Sequence, residues 1–393
     1  MDQQYNTFYK ARMMTAGPTP VPEFVLSAMA ESVQYHRGES FAQVVENCRK
    51  ELPKIFGTKE EVLIFSGSGT LAMEGAICNF FNAGDEVISV NSGKFGQRWS
   101  DQAKIYGCTV KEIFVERGSA VELEEIKKLL NSKTRGILIH ASETSTGVRH
   151  DIKAIAELAH KEEDCLCLVD GVTAVGVFQC PMDTWGIDVL IAGSQKGFIL
   201  PPGLSFGAAS ARAWKRSEEI TAPRYYLDWR KEKKSIQKNT SAFTSAVTLV
   251  GGLERVLKYM AEVGHEAIYQ RSWKYSFAAR ECLKKMGIEL LVKEDHHASA
   301  ACTAFMTEGL ISNKSINAKY AMMISGGQDE LKGKILRLGH IGYMDGWDLF
   351  NQLNAVAQSF ILAGKKINRA DANELFFEIL ENDINYTPKD LLL

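Results

Sequence analysis

Asp188-Val-Leu-Ile-Ala-Gly-Ser-Gln-Lys196-Gly-Phe-Ile-Leu-Pro-Pro-Gly-Leu204 is the stretch on which the fold turns. Residues 189–192 form a short apolar run that reads as a buried strand, and Lys196 falls in the glycine-punctuated turn just beyond it. Open α/β sheets bind their ligands there, outside the carboxyl ends of the strands. A lysine amine held in such a crevice can lose its proton and serve as a Schiff-base nucleophile. Taken alone, a loop lysine is more ordinarily solvated. Its sequence context decides between the two.

Similar apolar runs recur at residues 62–65, 87–90, 136–140 and 165–169. Their near-continuous apolarity suits strands covered on both faces. Helix-like stretches separate several of them, at residues 71–80 and 151–159. That alternation predicts an α/β fold, a mostly parallel sheet with helices on both sides. A long helical pattern follows at 245–262, and then a second α+β region with strand-like segments at 290–292, 301–305 and 334–338. The expected division is therefore a large domain over 22–262 and a small C-terminal domain over 263–369. An N-terminal arm, 1–21, packs back on the small domain, and a C-terminal extension covers 370–393. The amphipathic stretch starting at Glu374 reads as a docked terminal helix.

The 393 residues suffice for two domains with substantial cores. Hydrophobic content of 45% and charged content of 24% match an ordinary globular protein. A formal net charge of -2 and a pI near 6.5 predict no nucleic-acid or anionic-membrane partner. No apolar run approaches the roughly 20 residues of a membrane span, and the polar start lacks the apolar core of a secretion signal. The eight cysteines are scattered through apolar segments, and the closest pair, Cys165-Leu-Cys167, has neither a disulfide-framework nor a common zinc spacing. Buried free thiols in a cytoplasmic protein are the simplest account. His296 and His297, in the acidic stretch Lys293-Glu-Asp-His-His, read as a solvated loop, and no metal site is expected.

Three features keep Lys196 company. The first is Phe65-Ser66-Gly67-Ser68-Gly69-Thr70-Leu71-Ala72, joining an apolar strand to a helix. Small residues let the backbone approach an anion, and the helix start offers free N–H groups and the positive end of its dipole. A phosphate fits there, with the Ser68 and Thr70 hydroxyls as further donors. The same residues satisfy the relaxed dinucleotide fingerprint, which needs an acidic residue at the end of the next strand. Asp85 and Glu86 precede that strand instead. The second feature is Asp170, directly after the run 165–169. It either caps the next turn or meets a cationic ligand group. A carboxylate that keeps a pyridine nitrogen protonated is what lets pyridoxal phosphate act as an electron sink. The third is the order itself: phosphate loop, carboxylate, lysine, each at a strand end.

With those residues in place, the chain resembles the class V aminotransferases among fold-type I pyridoxal-phosphate enzymes, in particular the alanine–glyoxylate and serine–glyoxylate branch. The resemblance runs through Thr15-Ala-Gly-Pro-Thr-Pro20, His36-Arg-Gly, Ser66-Gly-Ser-Gly69, Phe95-Gly-Gln-Arg98, Glu143-Thr-Ser-Thr-Gly147 and Val169-Asp-Gly171. It continues in Gly193-Ser-Gln-Lys-Gly197, Pro201-Pro-Gly203, Tyr226-Leu-Asp228 and Leu336-Arg-Leu-Gly339. It implies a seven-stranded sheet and a homodimer with a shared active site. Lys196 would hold the cofactor aldehyde and move the substrate proton, and Asp170 would pair with the pyridinium nitrogen. Ser68, Gly69 and Thr70 would cradle the phosphate, with Gln195 alongside. Phe95 would stack on the ring where relatives commonly have tryptophan, Val172 would pack against it, and Thr144 would lie near the phenolic oxygen. Thr244 would reach the partner subunit's phosphate; Ser241 stands where some relatives place a tyrosine that does the same. Arg337 would bind the substrate α-carboxylate through a bidentate fork, and the backbone at Gly17 would close that pocket.

What the resemblance implies is a ping-pong aminotransferase that moves nitrogen from serine or alanine to glyoxylate or pyruvate. Rival readings on the same fold are transamination of a phosphonate or phosphoserine, and a cysteine desulfurase-like lyase. Desulfurases usually carry histidine where this chain has Phe95 and Gln195. On spacing alone, Arg337 could be a solvent-facing strand arginine and Phe95 a core aromatic. Glu143 and Asp228 could be structural acceptors.

Overall fold

A computed structural model describes residues 10–391. The beginning of the expected N-terminal arm lies outside the described residues, as does the end of the C-terminal extension.

Seven strands form the central sheet: β1 (Leu63–Ser66), β2 (Glu86–Asn91), β3 (Thr109–Phe114), β4 (Thr134–His140), β5 (Leu166–Asp170), β6 (Val189–Gly193) and β7 (Leu204–Ala209). Their order is β1-β7-β6-β5-β4-β2-β3. Only β7 runs antiparallel to its neighbours, so the sheet is mostly parallel. All residues of β5, β6 and β7 are buried, as expected for strands covered on both faces. Helices Gly69–Phe80 and Ile152–Ala159 fall where periodicity placed them, and a third, Lys94–Ile105, packs on β2.

β3 and β7 escaped the sequence reading for different reasons. β3 is a sheet-edge strand, and Thr109-Val-Lys-Glu-Ile-Phe114 has the mixed polarity that a half-solvated edge tolerates. β7 is fully buried, but Leu204-Ser-Phe-Gly-Ala-Ala209 owes this to small residues that carry little apolar signal. The expected strand at 290–292 is a correction. Only Leu290 pairs, in an isolated bridge with Phe305. Leu290 packs into the C-terminal core, whereas Val292 turns to a separate small cluster with Ala120, Val148 and Ala298, so the segment leaves the sheet.

After helix Val247–Val263 the chain enters helix His265–Lys285, along which the apolar residues change partners. Ile268, Tyr269 and Trp273 join the core around the large sheet; Ala278, Cys282 and Leu283 join a second core. The second core is built on a small antiparallel sheet of β8 (Cys302–Met306), β9 (Ser325–Gly326) and β10 (Ile335–Gly339), with β10 in the middle. Arg12–Met13 pairs with Met322–Met323 and Met14 enters the second core, so this part of the arm packs on the C-terminal region. Helix Arg369–Glu381 docks there through Ala372, Phe376 and Ile379. Beyond it, Leu391 returns to the large core, beside an ion pair of Asp390 with Arg149 at 2.8 Å.

Topology brings the site together. β5 and β6 are adjacent and parallel, which sets Asp170 beside Ile191 and near the turn that carries Lys196. β7 lies between β6 and β1, pairing Ser205 with Gly193 and Leu204 with Ser66. The Gly67 N–H donates to the Gly203 carbonyl at 2.8 Å, tying the glycine loop to the far end of the lysine turn.

Candidate active site

A cavity of about 260 Å³ opens where these strand ends meet. Lys196, Asp170, Gln195 and Val172 line it from the sheet side, and Ser68, Gly69 and Thr70 from the glycine loop. Phe95, Thr144 and Gly17 line it as well. Arg337 and Thr244 are not among the lining residues.

Lys196 is only 6% exposed, and its Nζ donates to the Ala16 carbonyl at 2.6 Å. A Cβ on Gly17, where φ is +131°, would collide with the lysine side chain, so the arm can lie against the amine only as glycine. Burial pulls the Lys196 amine down to about 8, against the raising influence of Cys302 and Asp170. Asp170 accepts the Val172 N–H on Oδ1 at 2.8 Å. Burial pushes its carboxyl up to about 6, while the Val172 N–H and the Arg98 charge act in the opposite direction.

Ser68 caps helix Gly69–Phe80 without a side-chain bond to the first turn, which leaves its hydroxyl and the Gly69 and Thr70 N–H groups to a ligand, while the Leu71 N–H donates to the Ser68 carbonyl at 2.8 Å. Gly69 is required by close packing, because a Cβ there would come 2.8 Å from Val172 Cγ2. Gln195 Oε1 is buried and has no partner among the described residues. Thr144 and Thr173 share a hydroxyl–hydroxyl bond of 2.7 Å at the cavity wall.

Phe95 reaches the cavity because Glu143 holds the start of its helix. The fully buried Glu143 carboxylate accepts the N–H groups of Phe95 at 3.1 Å and Gly96 at 3.2 Å. Asp228 likewise caps helix Trp229–Ile236 through Arg230 and Lys231. Both are structural acceptors.

Arg337 lies on β10, behind the wall formed by Thr144. Its Nη1 donates to the Thr144 carbonyl at 2.5 Å, and Nε and Nη2 donate to the Gly326 carbonyl. Two neutral oxygens therefore occupy the fork assigned to a carboxylate. Thr244 sits in the loop preceding helix Val247–Val263 and does not line the cavity, although the Ala246 N–H of the same loop donates to Ser66 Oγ at 2.9 Å. The sequence reading had no role for Arg98, Thr173 or Pro18, all of which line the cavity. Arg98 had a usable signal, since it lies three residues beyond Phe95 in a helical stretch and hence on the same face. His296 and His297 form a short 3₁₀ turn with Asp295, which binds Arg280 and Lys284.

The family model described as "Aminotransferase class-V" matches residues 13–329. The chain belongs to the class-V aminotransferases. Proteins similar to it include the soluble hydrogenase small subunit of Synechococcus sp. (strain PCC 6716), 36% identical over 88% of this chain and 92% of that one. Serine–glyoxylate aminotransferase of Methylorubrum extorquens is 30% identical over 90% of this chain and 92% of its own length. Among solved structures, alanine–glyoxylate aminotransferase from Nostoc sp. superposes with a TM-score of 0.85 at 28% identity, covering 89% of this chain and 96% of that one. This class-V aminotransferase is a fold-type I, pyridoxal-phosphate-dependent transaminase.

The cavity suits that cofactor on its own terms. A helix N-terminus where the Ser68 and Thr70 O–H groups meet no acceptor among the described residues fits a phosphate at one end. A buried carboxylate with one oxygen unbonded fits a cationic ring nitrogen, and a buried amine fits the aldehyde. Capture of pyridoxal phosphate by the cofactor-free protein should therefore follow pH with a definite sign. Below about 6 the Asp170 carboxylate is neutral, and below about 8 the Lys196 amine is charged and not nucleophilic. The capture rate should rise about tenfold per pH unit between about 6 and 8, more steeply below 6, and then level off. Stopped-flow absorbance at limiting cofactor would measure it, and a rise continuing unbroken to pH 10 would contradict the lowered lysine.

Proposed function

We propose that this transaminase takes its amino group from a small uncharged amino acid, serine or alanine, and passes it to glyoxylate or pyruvate in a ping-pong cycle. The observation that carries this reading is the cavity's charge inventory. Its lining cations are Lys196 and Arg98. Lys196 serves the cofactor and Arg98 is bonded to the phosphate loop at Thr70. Among the described residues of this chain no lining cation remains for a second carboxylate, a phosphonate or a phosphate on the substrate, and about 260 Å³ must also admit the cofactor. The serine–glyoxylate aminotransferases of Methylorubrum extorquens and Arabidopsis thaliana support the choice; the L-aspartate–glyoxylate aminotransferase of Paracoccus denitrificans marks the competing donor class.

Pyridoxal phosphate supplies an aldehyde for the incoming amine and a pyridinium electron sink for the broken Cα–H bond. Asp170 keeps that ring nitrogen protonated. Lys196 Nζ, as the free amine, would take the proton from the substrate Cα and carry it to the cofactor's former aldehyde carbon, C4′. Arg337 receives the α-carboxylate by exchanging the Thr144 and Gly326 carbonyls for an anionic acceptor, which makes the stronger, charge-assisted bond. The Gly17 backbone shuts the pocket from the arm. The working unit in this reading is a homodimer. Arg37 bonds Thr240 and Ser241, tying the loop that carries Thr244 to the segment with the highly exposed Val33 and Tyr35, and Tyr225 beside Phe243 is exposed as well. Covering that face with a second copy would carry Thr244 towards the partner's phosphate site.

A donor panel tests the proposal. Serine or alanine should bleach the bound cofactor's visible band, and glyoxylate or pyruvate should restore it. Faster bleaching by aspartate, phosphoserine or 2-aminoethylphosphonate, or release of sulfur from cysteine, would overturn it.

A further inference from the structure

Arg98 makes contacts that tie it to the cofactor site at two points. Nη1 donates to Thr70 Oγ1 at 2.8 Å, and the guanidinium carbon lies 5.0 Å from the Phe95 ring centroid, over its face. Arg98 and Phe95 are three residues apart on helix Lys94–Ile105, so they share one face of it. Further along, Gln102 Nε2 donates to the Thr70 carbonyl at 3.2 Å, and Trp99 Nε1 to the Ile139 carbonyl. One helix thus grips both oxygens of Thr70 while presenting Phe95 to the cavity.

The consequence follows from the chemistry of a hydroxyl. Thr70 Oγ1 has one hydrogen and two lone pairs. Arg98 fills a lone pair, and a guanidinium cannot accept in return. The Thr70 O–H must then be given to something else, and among the described residues no protein acceptor takes it. Its remaining direction is the cavity, at the helix start where the phosphate belongs.

The geometry points to Arg98 as the positioning residue of the cofactor site, orienting Thr70 as a hydrogen-bond donor to the phosphate and steadying Phe95 as the ring platform. The inference rests on the pyridoxal-phosphate reading. It adds that the phosphate cradle and the ring platform are set by one side chain, with a fixed positive charge behind the anion. The same charge helps keep Asp170 ionised.

Equilibrium binding of pyridoxal phosphate and of pyridoxal, which lacks the phosphate, tests this by tryptophan fluorescence and visible absorbance. The proteins needed are the parent, Arg98→Gln, Arg98→Lys, Thr70→Val and Arg98→Gln/Thr70→Val. The parent must bind pyridoxal phosphate; if it does not, the underlying cofactor reading fails whatever the variants do. Arg98→Gln should weaken pyridoxal phosphate roughly 10- to 100-fold, the scale of a hydrogen bond to a charged group. It should weaken pyridoxal less, so that preference for the phosphorylated form falls. The double variant should be little worse than Thr70→Val alone, because both act through one hydroxyl. Arg98→Lys, which keeps the charge but not the planar fork, should recover part of the loss. Undiminished affinity in Arg98→Gln, equal loss of both ligands, or fully additive losses with Thr70→Val would overturn the assignment. Should Arg98→Gln fail to fold, Arg98→Lys and Thr70→Val carry the same comparison, with circular dichroism checking that each is native.

Discussion

Lys196→Ala should abolish transamination, lowering the rate by more than about 10⁴-fold, at or beyond the upper end for loss of a single acid–base group. The lysine has two duties, as covalent attachment and as proton carrier, and no other described lining side chain can assume either. Among the described lining residues it is the sole amine, and Arg98 cannot deprotonate to replace it. The change removes a partly strained bargain: a buried amine whose ammonium form is disfavoured, satisfied by one carbonyl, Ala16. The fold should therefore survive, and a thermal melt near that of the parent would show that lost activity reflects lost chemistry. Pyridoxal phosphate should still bind through its phosphate, but without the colour of the lysine-linked form. A visible band persisting undiminished in Lys196→Ala would sink the assignment.

Asp170→Asn should cost about 10²- to 10³-fold in turnover, the usual scale for removing one electrostatic stabiliser from a buried site. Asparagine keeps the shape and can still accept the Val172 N–H, so β5 and its turn should be undisturbed. What is lost is the charge that holds the ring nitrogen protonated. Burial pushes the carboxyl up to about 6 in the cofactor-free protein, so the charge is lost in mild acid and a cationic partner would strengthen its hold on the anionic form. Cofactor affinity should fall less than turnover, because the glycine loop and Lys196 still hold the molecule. Single-turnover bleaching with serine, set beside a binding isotherm, separates the two. Turnover at the parental rate in Asp170→Asn would leave the ring nitrogen without its assigned partner.

Much of this site is legible in the sequence, because strand ends can be read locally. Once the run 165–169 is a parallel strand, Asp170 must sit at its carboxyl end, and the same holds for Lys196 after β6. The glycine loop is legible for the same reason, as a strand-to-helix turn made of small residues. β7 was not legible, since the small residues that let it lie buried between β1 and β6 hide its apolar pattern. Nor did periodicity show that the 290–292 segment would split between two cores, because both destinations are apolar.

The order phosphate loop, aspartate, lysine was thus set by sequence alone, through local signals spanning a few residues each. Tertiary structure decided what those groups touch. Lys196 is bonded across 180 positions to Ala16, Arg337 across 193 to the Thr144 carbonyl, and Arg98 across 28 to Thr70. Such pairings depend on how the arm, the small sheet and the helices pack against the strand ends, and on which rotamers that packing allows. Short-range pattern carries no record of either, which is why the role of Arg98 rests on its contacts and not on the motif that contains it.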